Sequence, residues 1–296
     1  MQADVIIPYF NRPELLMRAV KSVLLHPFIK NIIIVDDNSD KKLKSDYFSQ
    51  IGEDVCRIKL VDNQFSKGAQ YARLYGVTIS DSDFVIFLDS DDELLLSGLD
   101  ILQHKVINNH GNFSLFYGDL FISNRVVRTP RFRGYKYNEI LGDLSLCPFS
   151  GLCVERKAIK IDLLLLDLPS WQDDDFIITI SKDYSVMHIG CAIARMFQTN
   201  DSISSNKIMQ LIGLRMLLTK WKPELYRVFG FFKVLLWKLR EIRILWLAKA
   251  QNASYEAEIA SKKYKIIILK LIDILYRIAA TILYLFLRPF FNKIYT

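Results

Sequence analysis

The chain has 296 residues, of which 51% are hydrophobic and 24% charged; this is enough apolar material for a full core and excludes a disordered chain. The formal net charge of +7 is unevenly distributed, because residues 207–296 carry 17 Lys and Arg against 5 Asp and Glu, and residues 1–206 carry 22 against 27. The acidic part suits a metal or a cationic complex, and the basic part suits an anionic surface.

The N-terminus enters a strand pattern directly, with no basic segment and no long apolar run, so we expect no secretory signal. The cysteines have neither the spacing of a zinc site nor the density of a disulfide scaffold: Cys56, Cys147, Cys153 and Cys191. We therefore predict reduced thiols and a cytoplasmic protein.

Short apolar runs alternate with amphipathic segments along the first ninety residues. The predicted strands are Val5–Ile7, ended by Pro8, then Ile32–Val35, Cys56–Val61 and Phe84–Leu88. The predicted helices are Pro13–Leu25, Lys41–Ile51 and Gly68–Ile79. Uniformly apolar strands alternating with helices predict an α/β, Rossmann-like fold with a mostly parallel central sheet and helices on both faces.

Acidic residues follow two of these strands. Asp36 and Asp37 come after the second strand, and Asp89, Asp91 and Asp92 come after the fourth. At one strand end such residues most often cap a helix or make a turn. Five carboxylates at the same sheet edge would repel one another, so a bound cation or a basic partner is needed to offset the cost.

The motifs, in their order and spacing, resemble the family 2 glycosyltransferases with the GT-A fold over residues 4–205. The resemblance is carried by Val5-Ile6-Ile7-Pro8-Tyr9-Phe10-Asn11-Arg12, Ile34-Val35-Asp36-Asp37-Asn38-Ser39, Lys67-Gly68 with Ala72-Arg73 and Gly76, and Phe87-Leu88-Asp89-Ser90-Asp91-Asp92. Family members often have Asn after the Ala-Arg pair, where this chain has Leu74.

The resemblance implies a pocket for a UDP-sugar at the loops of the first strands. It places Asp37 where a carboxylate accepts a hydrogen bond from the N–H of uracil, a group that needs an acceptor. The other residues implied in nucleotide binding are Pro8, Tyr9, Asn11, Arg12, Lys67, Arg73, Asp89 and Asp91.

The same resemblance implies that Asp91 and Asp92 hold Mn²⁺ or Mg²⁺ against the two phosphates, with Asp89 in support. Carboxylate oxygens are hard ligands that suit these hard cations. A metal there would neutralise the diphosphate leaving group as the bond to the anomeric carbon breaks.

A second acidic segment, Ser170-Trp171-Gln172-Asp173-Asp174-Asp175-Phe176, precedes a helical pattern that extends to Lys182. It is similar to the family's Glu-Asp element on the acceptor side. Displacement with inversion needs a base for the acceptor hydroxyl, and we predict Asp173 for this role, with Asp174 as the alternative. An acidic first turn that complements the helix dipole would account for one or two of these acids.

Further along the chain, Ser145–Val154 resembles a strand that shapes the acceptor pocket, and Ser185–Ile193 is predicted as the last strand. The segment Phe197–Ser204 resembles the family's closing loop, with Thr199 where several members have His. We therefore assign no His ligand and interpret His188 as a strand residue.

The predicted domains are a GT-A domain, residues 1–206, and a basic amphipathic helical region, residues 207–296.

The C-terminal region combines apolar residues with a basic stripe. Its polar positions recur at helical spacing: Lys270, Asp273, Arg277, Thr281, Tyr284 and Arg288. No run approaches 20 uncharged residues, so we expect no spanning helix. The pattern favours a helix in the membrane interface, with Trp221, Trp237 and Trp246 at its boundary. A soluble helical subdomain or a helix that forms a homo-oligomer remains an alternative.

These observations predict an inverting, metal-dependent glycosyltransferase that moves a hexose or N-acetylhexosamine from a UDP-sugar to a glycan acceptor. The resemblance to bacterial enzymes of O-antigen, capsule or lipooligosaccharide synthesis implies a lipid-linked acceptor and a peripheral location on the inner face of the cell membrane. No base-reading module indicates nucleic acid. The alternatives are a catalytically silent scaffolding protein with this fold and a nucleotidyltransferase, which would need a Gly-rich phosphate loop after the first strand.

Overall fold

The computed structural model describes residues 1–143, 147–197 and 206–256. Of these, residues 1–143, 147–167 and 172–197 form one compact unit, and residues 168–171 and 206–256 form a second. The predicted domain boundary at residue 206 stays a prediction.

The first unit is built on one mixed sheet. Its strands are β1 Ala3–Tyr9, β2 Ile29–Asp36, β3 Ile58–Asp62, β4 Phe84–Phe87, β5 Glu93–Leu94, β6 Leu115–Ile122, β7 Arg125–Val127, β8 Arg133–Gly134, β9 Cys153–Glu155 and β10 Val186–Met196. The strand order is β3-β2-β1-β4-β9-β6-β10-β5, with β7 paired to β6 and β8 to β10. The first four strands of this order are parallel, as predicted.

The helices of this unit are α1 Pro13–Val23, α2 Ala69–Ile79, α3 Leu96–Asn109, α4 Tyr137–Leu141 and α5 Gln172–Ser181. Strands β1, β2 and β4 are almost entirely buried, which explains their uniformly apolar sequences. Helix α2 approaches β1 closely at Gly76, where a Cβ atom would lie 2.5 Å from Cγ2 of Ile6. Only glycine allows this approach.

Strand β1 continues through Pro8, so the prediction that Pro8 ends the strand was wrong. The carbonyl of Ile6, two residues earlier, accepts a hydrogen bond from the N–H of Leu88, which follows β4. In this parallel register the next ladder bond to β4 would come from the N–H of residue 8, which proline lacks, and β4 ends at Phe87. On the other side, Pro8 is in register with Val35 of β2.

The predicted helix Lys41–Ile51 was also wrong. The structure has a 3₁₀ segment, Ser45–Arg57, which is interrupted at Gly52, where φ is 81°. The Arg57 guanidinium donates hydrogen bonds to the carbonyls of Leu24 and Ile29. These bonds keep Arg57 in the segment that connects β2 and β3. Strand β3 therefore begins at Ile58, two residues later than predicted.

The second unit contains helices α6 Lys207–Phe229 and α7 Phe231–Glu256, which are joined by Gly230 and pack against each other. Asn206 caps α6, because its side chain accepts hydrogen bonds from two backbone N–H groups of the first turn. Arg215 and Glu241 form an ion pair between the helices at 2.6 Å. Among the described residues, neither of these helices nor any other is apolar and long enough to cross a bilayer.

Trp221 and Trp237 are both buried, so the interpretation of these two side chains as interfacial anchors was wrong. Trp171 also belongs to this unit; its indole N–H donates to the carbonyl of Gln210 at 2.8 Å, and the guanidinium carbon of Arg240 lies 4.6 Å from the ring centroid. The predicted polar stripe from Lys270 to Arg288 lies outside the described residues.

Candidate active site

The loop after β4 carries the predicted metal and diphosphate residues. The N–H of Asp89 donates to Oγ of Ser150 at 3.1 Å, and that hydroxyl donates to Oδ2 of Asp92 at 2.6 Å. Oδ1 of Asp92 accepts from the N–H of Phe197 at 3.2 Å. Asp92 is only 2% exposed, and burial, together with the negative charges of Asp89 and Asp91, raises its pKa to about 7.

Asp91 is more accessible and is surrounded by arginines. Its Oδ2 lies 3.1 Å from Nη1 of Arg12, and its carbonyl oxygen accepts a hydrogen bond from Arg18. Burial and the charge of Asp89 raise the pKa of Asp91, while the positive charge of Arg12 opposes this shift. The sequence predicted that Arg12 binds the nucleotide. In the structure, Arg12 contacts the loop of residues 89–92, which we call the acidic loop.

Arg73, in α2, connects the acidic loop to the start of α5. Its buried guanidinium forms an ion pair with Asp89, donates to Oε1 of Gln172 at 3.2 Å and lies 4.2 Å above the ring centroid of Phe149. The sequence predicted only a positive charge near the nucleotide for this residue. In the structure, Arg73 brings the predicted leaving-group side and the predicted acceptor side together.

The three acids that begin α5 have different environments. Asp175 is fully buried, and its Oδ2 accepts the N–H of Leu165 at 2.8 Å, which is a structural contact. Asp174 is also buried, and its N–H donates to Oδ1 of Asp173 at 3.0 Å. Asp173 is partly exposed.

The pKa of Asp173 is raised to about 6, mainly because the group is desolvated. The positive charge of Arg73 lowers this pKa, and the negative charge of Asp89 raises it. Asp173 therefore interacts electrostatically with the acidic loop. A carboxylate with a pKa near 6 is a suitable general base at neutral pH.

Asp37, directly after β2, is fixed by its neighbours. Its N–H donates to the carbonyl of Tyr9 at 2.8 Å, which joins the ends of β1 and β2. Its carboxylate accepts the N–H of Gly68, at 2.9 Å and 2.8 Å to the two oxygens, and Nδ2 of Asn63 at 2.9 Å. The carboxylate therefore has a defined orientation at the carboxyl edge of the sheet.

The remaining residues predicted to bind the nucleotide lie in the loop after β1 or next to it. Pro8 and Tyr9 are buried at the end of the strand. Asn11, with φ of 53°, exchanges two hydrogen bonds with Asp40 at 2.7 Å and 2.9 Å, which fastens this loop to the one after β2. The ammonium of Lys67 lies 4.4 Å from the ring centroid of Phe10.

Three residues of the site were missed in the sequence. Ser150 holds Asp89 and Asp92, Asn63 orients Asp37, and Arg18 lies beneath the acidic loop with its guanidinium carbon 3.7 Å from the ring centroid of Phe197. Asn63 had a usable signal, since it follows β3 as Asp37 follows β2. Ser150 and Arg18 reach the loop only through tertiary packing.

The acidic loop presents oxygen donors but, within the described part of the chain, no preformed cation cage. Among residues 1–143, 147–197 and 206–256, no three His, Cys, Asp or Glu side chains converge into a ready-made metal cage. Asp89 and Asp91 are partly exposed, and like-charge repulsion within the loop is evident in the raised pKa values of Asp91 and Asp92. These oxygens fit a hard divalent cation that also takes ligands from a diphosphate.

The first unit has the GT-A fold of the glycosyltransferases. S. aureus TarS, residues 1–349, in a crystal structure with UDP-GlcNAc, has the same fold: the TM-score is 0.58 at 15% sequence identity, over 89% of this chain and 78% of that one. The sequence model of Glycosyl transferase family 2 matches residues 4–148. Residues 4–148 therefore form a family 2 glycosyltransferase domain, and the chain is a glycosyltransferase.

Two bacterial relatives are informative. The UDP-Glc:alpha-D-GlcNAc-diphosphoundecaprenol beta-1,3-glucosyltransferase WfgD of Escherichia coli is 27% identical over 214 residues, which cover 70% of this chain and 81% of the relative. The GalNAc(5)-diNAcBac-PP-undecaprenol beta-1,3-glucosyltransferase of Campylobacter jejuni is 35% identical over 154 residues, which cover 50% of this chain and 48% of the relative.

Proposed function

We propose that this enzyme transfers a hexose or N-acetylhexosamine from a UDP-sugar to a lipid-linked glycan, with inversion at the anomeric carbon and with a divalent cation. The observation that carries the proposal is the link through Arg73 between the acidic loop and the start of α5. This link holds a diphosphate-binding element beside a candidate base, Asp173. A displacement reaction needs these two elements on opposite sides of the sugar.

In the proposed reaction, the Asp173 carboxylate takes the proton of the acceptor hydroxyl as its oxygen attacks the anomeric carbon. The bond from that carbon to the diphosphate oxygen breaks, and UDP leaves with the electron pair. Asp91 and Asp92 would hold Mn²⁺ or Mg²⁺, with Asp89 in support. The cation would supply charge neutralisation of the leaving diphosphate.

Asp37 is the proposed acceptor for the uracil N–H, and the donors from Asn63 and Gly68 keep its oxygens in place. We expect Asp37→Asn to remove the preference for UDP over CDP, because the cytosine ring has no N–H at that position. Loss of a hydrogen bond to a charged group weakens UDP binding by about tenfold or more. Calorimetry with both nucleotides measures this effect.

The matched control is Asp62→Asn, at the end of the adjacent strand, where the exposed carboxylate pairs with Lys42 at 2.7 Å. This variant should keep the preference for UDP. Unchanged discrimination between UDP and CDP in Asp37→Asn would contradict the assignment of Asp37 to the base.

The lipid-linked acceptor is proposed from the two bacterial relatives, which are both named for sugar transfer to undecaprenol-diphosphate-linked glycans. We further propose a peripheral location on the cytoplasmic face of the inner membrane, where such carriers are exposed. The region 207–296 is proposed as a separate basic helical domain that contacts the membrane or another copy of the chain.

A panel of nucleotide sugars tests the proposed reaction. We expect Mn²⁺-dependent transfer or slow hydrolysis with UDP-hexoses or UDP-N-acetylhexosamines, and none with GDP- or CDP-sugars. Transfer to an undecaprenol-diphosphate-linked glycan, with the anomeric configuration determined by NMR, tests acceptor class and inversion together. Retention of configuration would contradict a single displacement, and equal activity in EDTA would contradict the metal.

A further inference from the structure

A basic hairpin, residues 122–128, ends β6 and has no role in the proposed chemistry; the chain after it returns along the sheet to β8, which pairs with the start of β10. Strands β6 and β7 are joined by Ser123 and Asn124, whose φ angles are 47° and 61°. Positive φ at both positions is the geometry of a tight two-residue turn that suits a twisted hairpin. Between residues 123 and 136 the sequence has four Arg and one Lys and no Asp or Glu.

Most of this positive charge is not neutralised. Arg131 pairs with Asp119 at 2.8 Å, and Lys136 pairs with Glu139 at 2.7 Å. The other three arginines are exposed and have no acidic partner among the described residues: Arg125, Arg128 and Arg133. Arg133 pairs with Met187 near the start of β10, so the hairpin itself presents Arg125 and Arg128. Exposed guanidinium groups attract anionic groups, phosphates in particular.

Apolar side chains are exposed between these arginines. Val126 is 54% exposed, and Val127 is 43% exposed. Valine side chains make no favourable contact with a soluble polyanion. A bilayer has phosphates that bind arginine and an apolar layer that accommodates valine. The mixed composition therefore favours a lipid surface over a soluble anion.

The base of the hairpin is rigidly attached. Asp119 accepts the N–H of Thr129 at 3.1 Å, and the hydroxyl of Tyr117 donates to the carbonyl of Pro130 at 2.6 Å. His188 lies in β10, as predicted, with Nε2 3.0 Å from Oδ1 of Asp119. Because these contacts fix the segment in advance, little conformational entropy is lost when it binds.

The hairpin lies at the same sheet edge as the acidic loop. Ile86 of β4 and Phe116 of β6 both pair with Cys153 of the antiparallel β9, so β4 and β6 run in the same direction. Strand β6 continues for six residues beyond Phe116, which is about 20 Å of extended chain. Glu93, two residues after Asp91, pairs with Arg195, which pairs with Phe121 of β6, so the hairpin turn and Asp91 lie at the same edge of the sheet.

We propose that the basic hairpin docks on a membrane surface rich in anionic phospholipid, with Arg125 and Arg128 at the phosphates and Val126 and Val127 in the interface. Docking there would turn the carboxyl edge of the sheet towards the bilayer, where a lipid-linked acceptor lies. The inference rests on the proposed acceptor for its biological purpose. Binding to vesicles is measured without donor or acceptor, so the two proposals can fail separately.

The experiment is vesicle flotation of the full chain with phosphatidylcholine alone or mixed with phosphatidylglycerol. We expect the double variant Arg125→Gln, Arg128→Gln to bind mixed vesicles about 25-fold more weakly, since each basic side chain at an anionic surface contributes roughly fivefold. The control Lys21→Gln, Lys41→Gln removes the same charge from exposed sites elsewhere and should bind like the wild type.

A second variant, Val126→Ser with Val127→Ser, keeps the charge and should weaken vesicle binding by about threefold to tenfold, with no change in heparin binding. All variants should bind UDP normally, which shows that they are folded. The proposal is overturned if the arginine variant floats like its lysine control. It is also overturned if the valine variant floats like the wild type, which would leave only a site for soluble polyanions.

Discussion

Replacement of Asp173 by Asn should reduce the rate of sugar transfer by about 10³-fold and leave UDP binding unchanged. The amide cannot accept the proton of the acceptor hydroxyl, and general base catalysis contributes a factor of this order. Asn has nearly the same shape, and its Oδ1 can still accept the N–H of Asp174. The transfer rate and calorimetric UDP affinity, measured on the same preparation, separate lost chemistry from lost folding.

The matched control is Asp174→Asn, since Asp174 is the adjacent acid but is buried. We expect this variant to keep most of its transfer activity, with any loss arising from stability. If Asp174→Asn abolishes transfer while Asp173→Asn retains it, the base is Asp174. Full activity in both variants would contradict a base at the start of α5.

The pH dependence gives an independent test of Asp173. Its pKa in the folded protein is about 6, above the ordinary value for aspartate, so the carboxyl gains a proton as the pH falls through 6. Only the deprotonated form can act as base, and kcat/KM should fall about tenfold for each pH unit below that point. UDP affinity should not follow this profile through Asp173.

The sequence predicted the parallel half of the sheet and its acidic edge because both are local patterns. An apolar run such as Phe84–Phe87 indicates a buried strand, and parallel strands necessarily bring their carboxyl ends together. Asp37 and Asp91 could therefore be placed at one edge before any contact was known. Both are at that edge in the structure.

The errors in the sequence analysis arise where distant packing decides local structure. Pro8 remains in a strand because β1 still pairs with β2 at Pro8 and Tyr9, and this pairing is not visible in the sequence around Pro8. The backbone conformation before β3 depends on Gly52 and on the hydrogen bonds of Arg57 with carbonyls about thirty residues away. Helical periodicity alone could not predict this segment.

The site residues that were missed act through partners distant in the chain. Ser150 is 58 residues from Asp92, and its hydroxyl also accepts the N–H of Asp89. Arg73 was noticed only as a charge, although its contacts with Asp89 and Gln172 connect the two halves of the site. Sequence motifs therefore indicate which acids are present, and tertiary contacts determine how each can be used.

Asp91→Ala should have opposite effects on UDP binding with and without metal. With Mn²⁺ present, loss of the carboxylate removes a proposed metal ligand. We expect UDP to bind at least about 100-fold more weakly, because loss of even a residue that contacts only a metal ligand lowers metal affinity by 10 to 100-fold. In EDTA, the variant should bind UDP as well as the wild type or better, because a charge that repels the diphosphate is gone and Arg12 is released from its ion pair.

Asp81→Ala is the control for Asp91→Ala. Asp81 is exposed, pairs with Lys30 and lies before β4, at the opposite end of that strand. This variant should bind UDP like the wild type with Mn²⁺ and in EDTA.

Asp92→Asn tests the second predicted ligand, because the amide keeps an acceptor for Ser150 and loses the charge. Loss of Mn²⁺ dependence in this variant would assign Asp92 to the metal. Retained dependence would restrict Asp92 to holding the loop. Equal Mn²⁺ dependence in wild type, Asp91→Ala and Asp92→Asn would remove the cation from the acidic loop altogether.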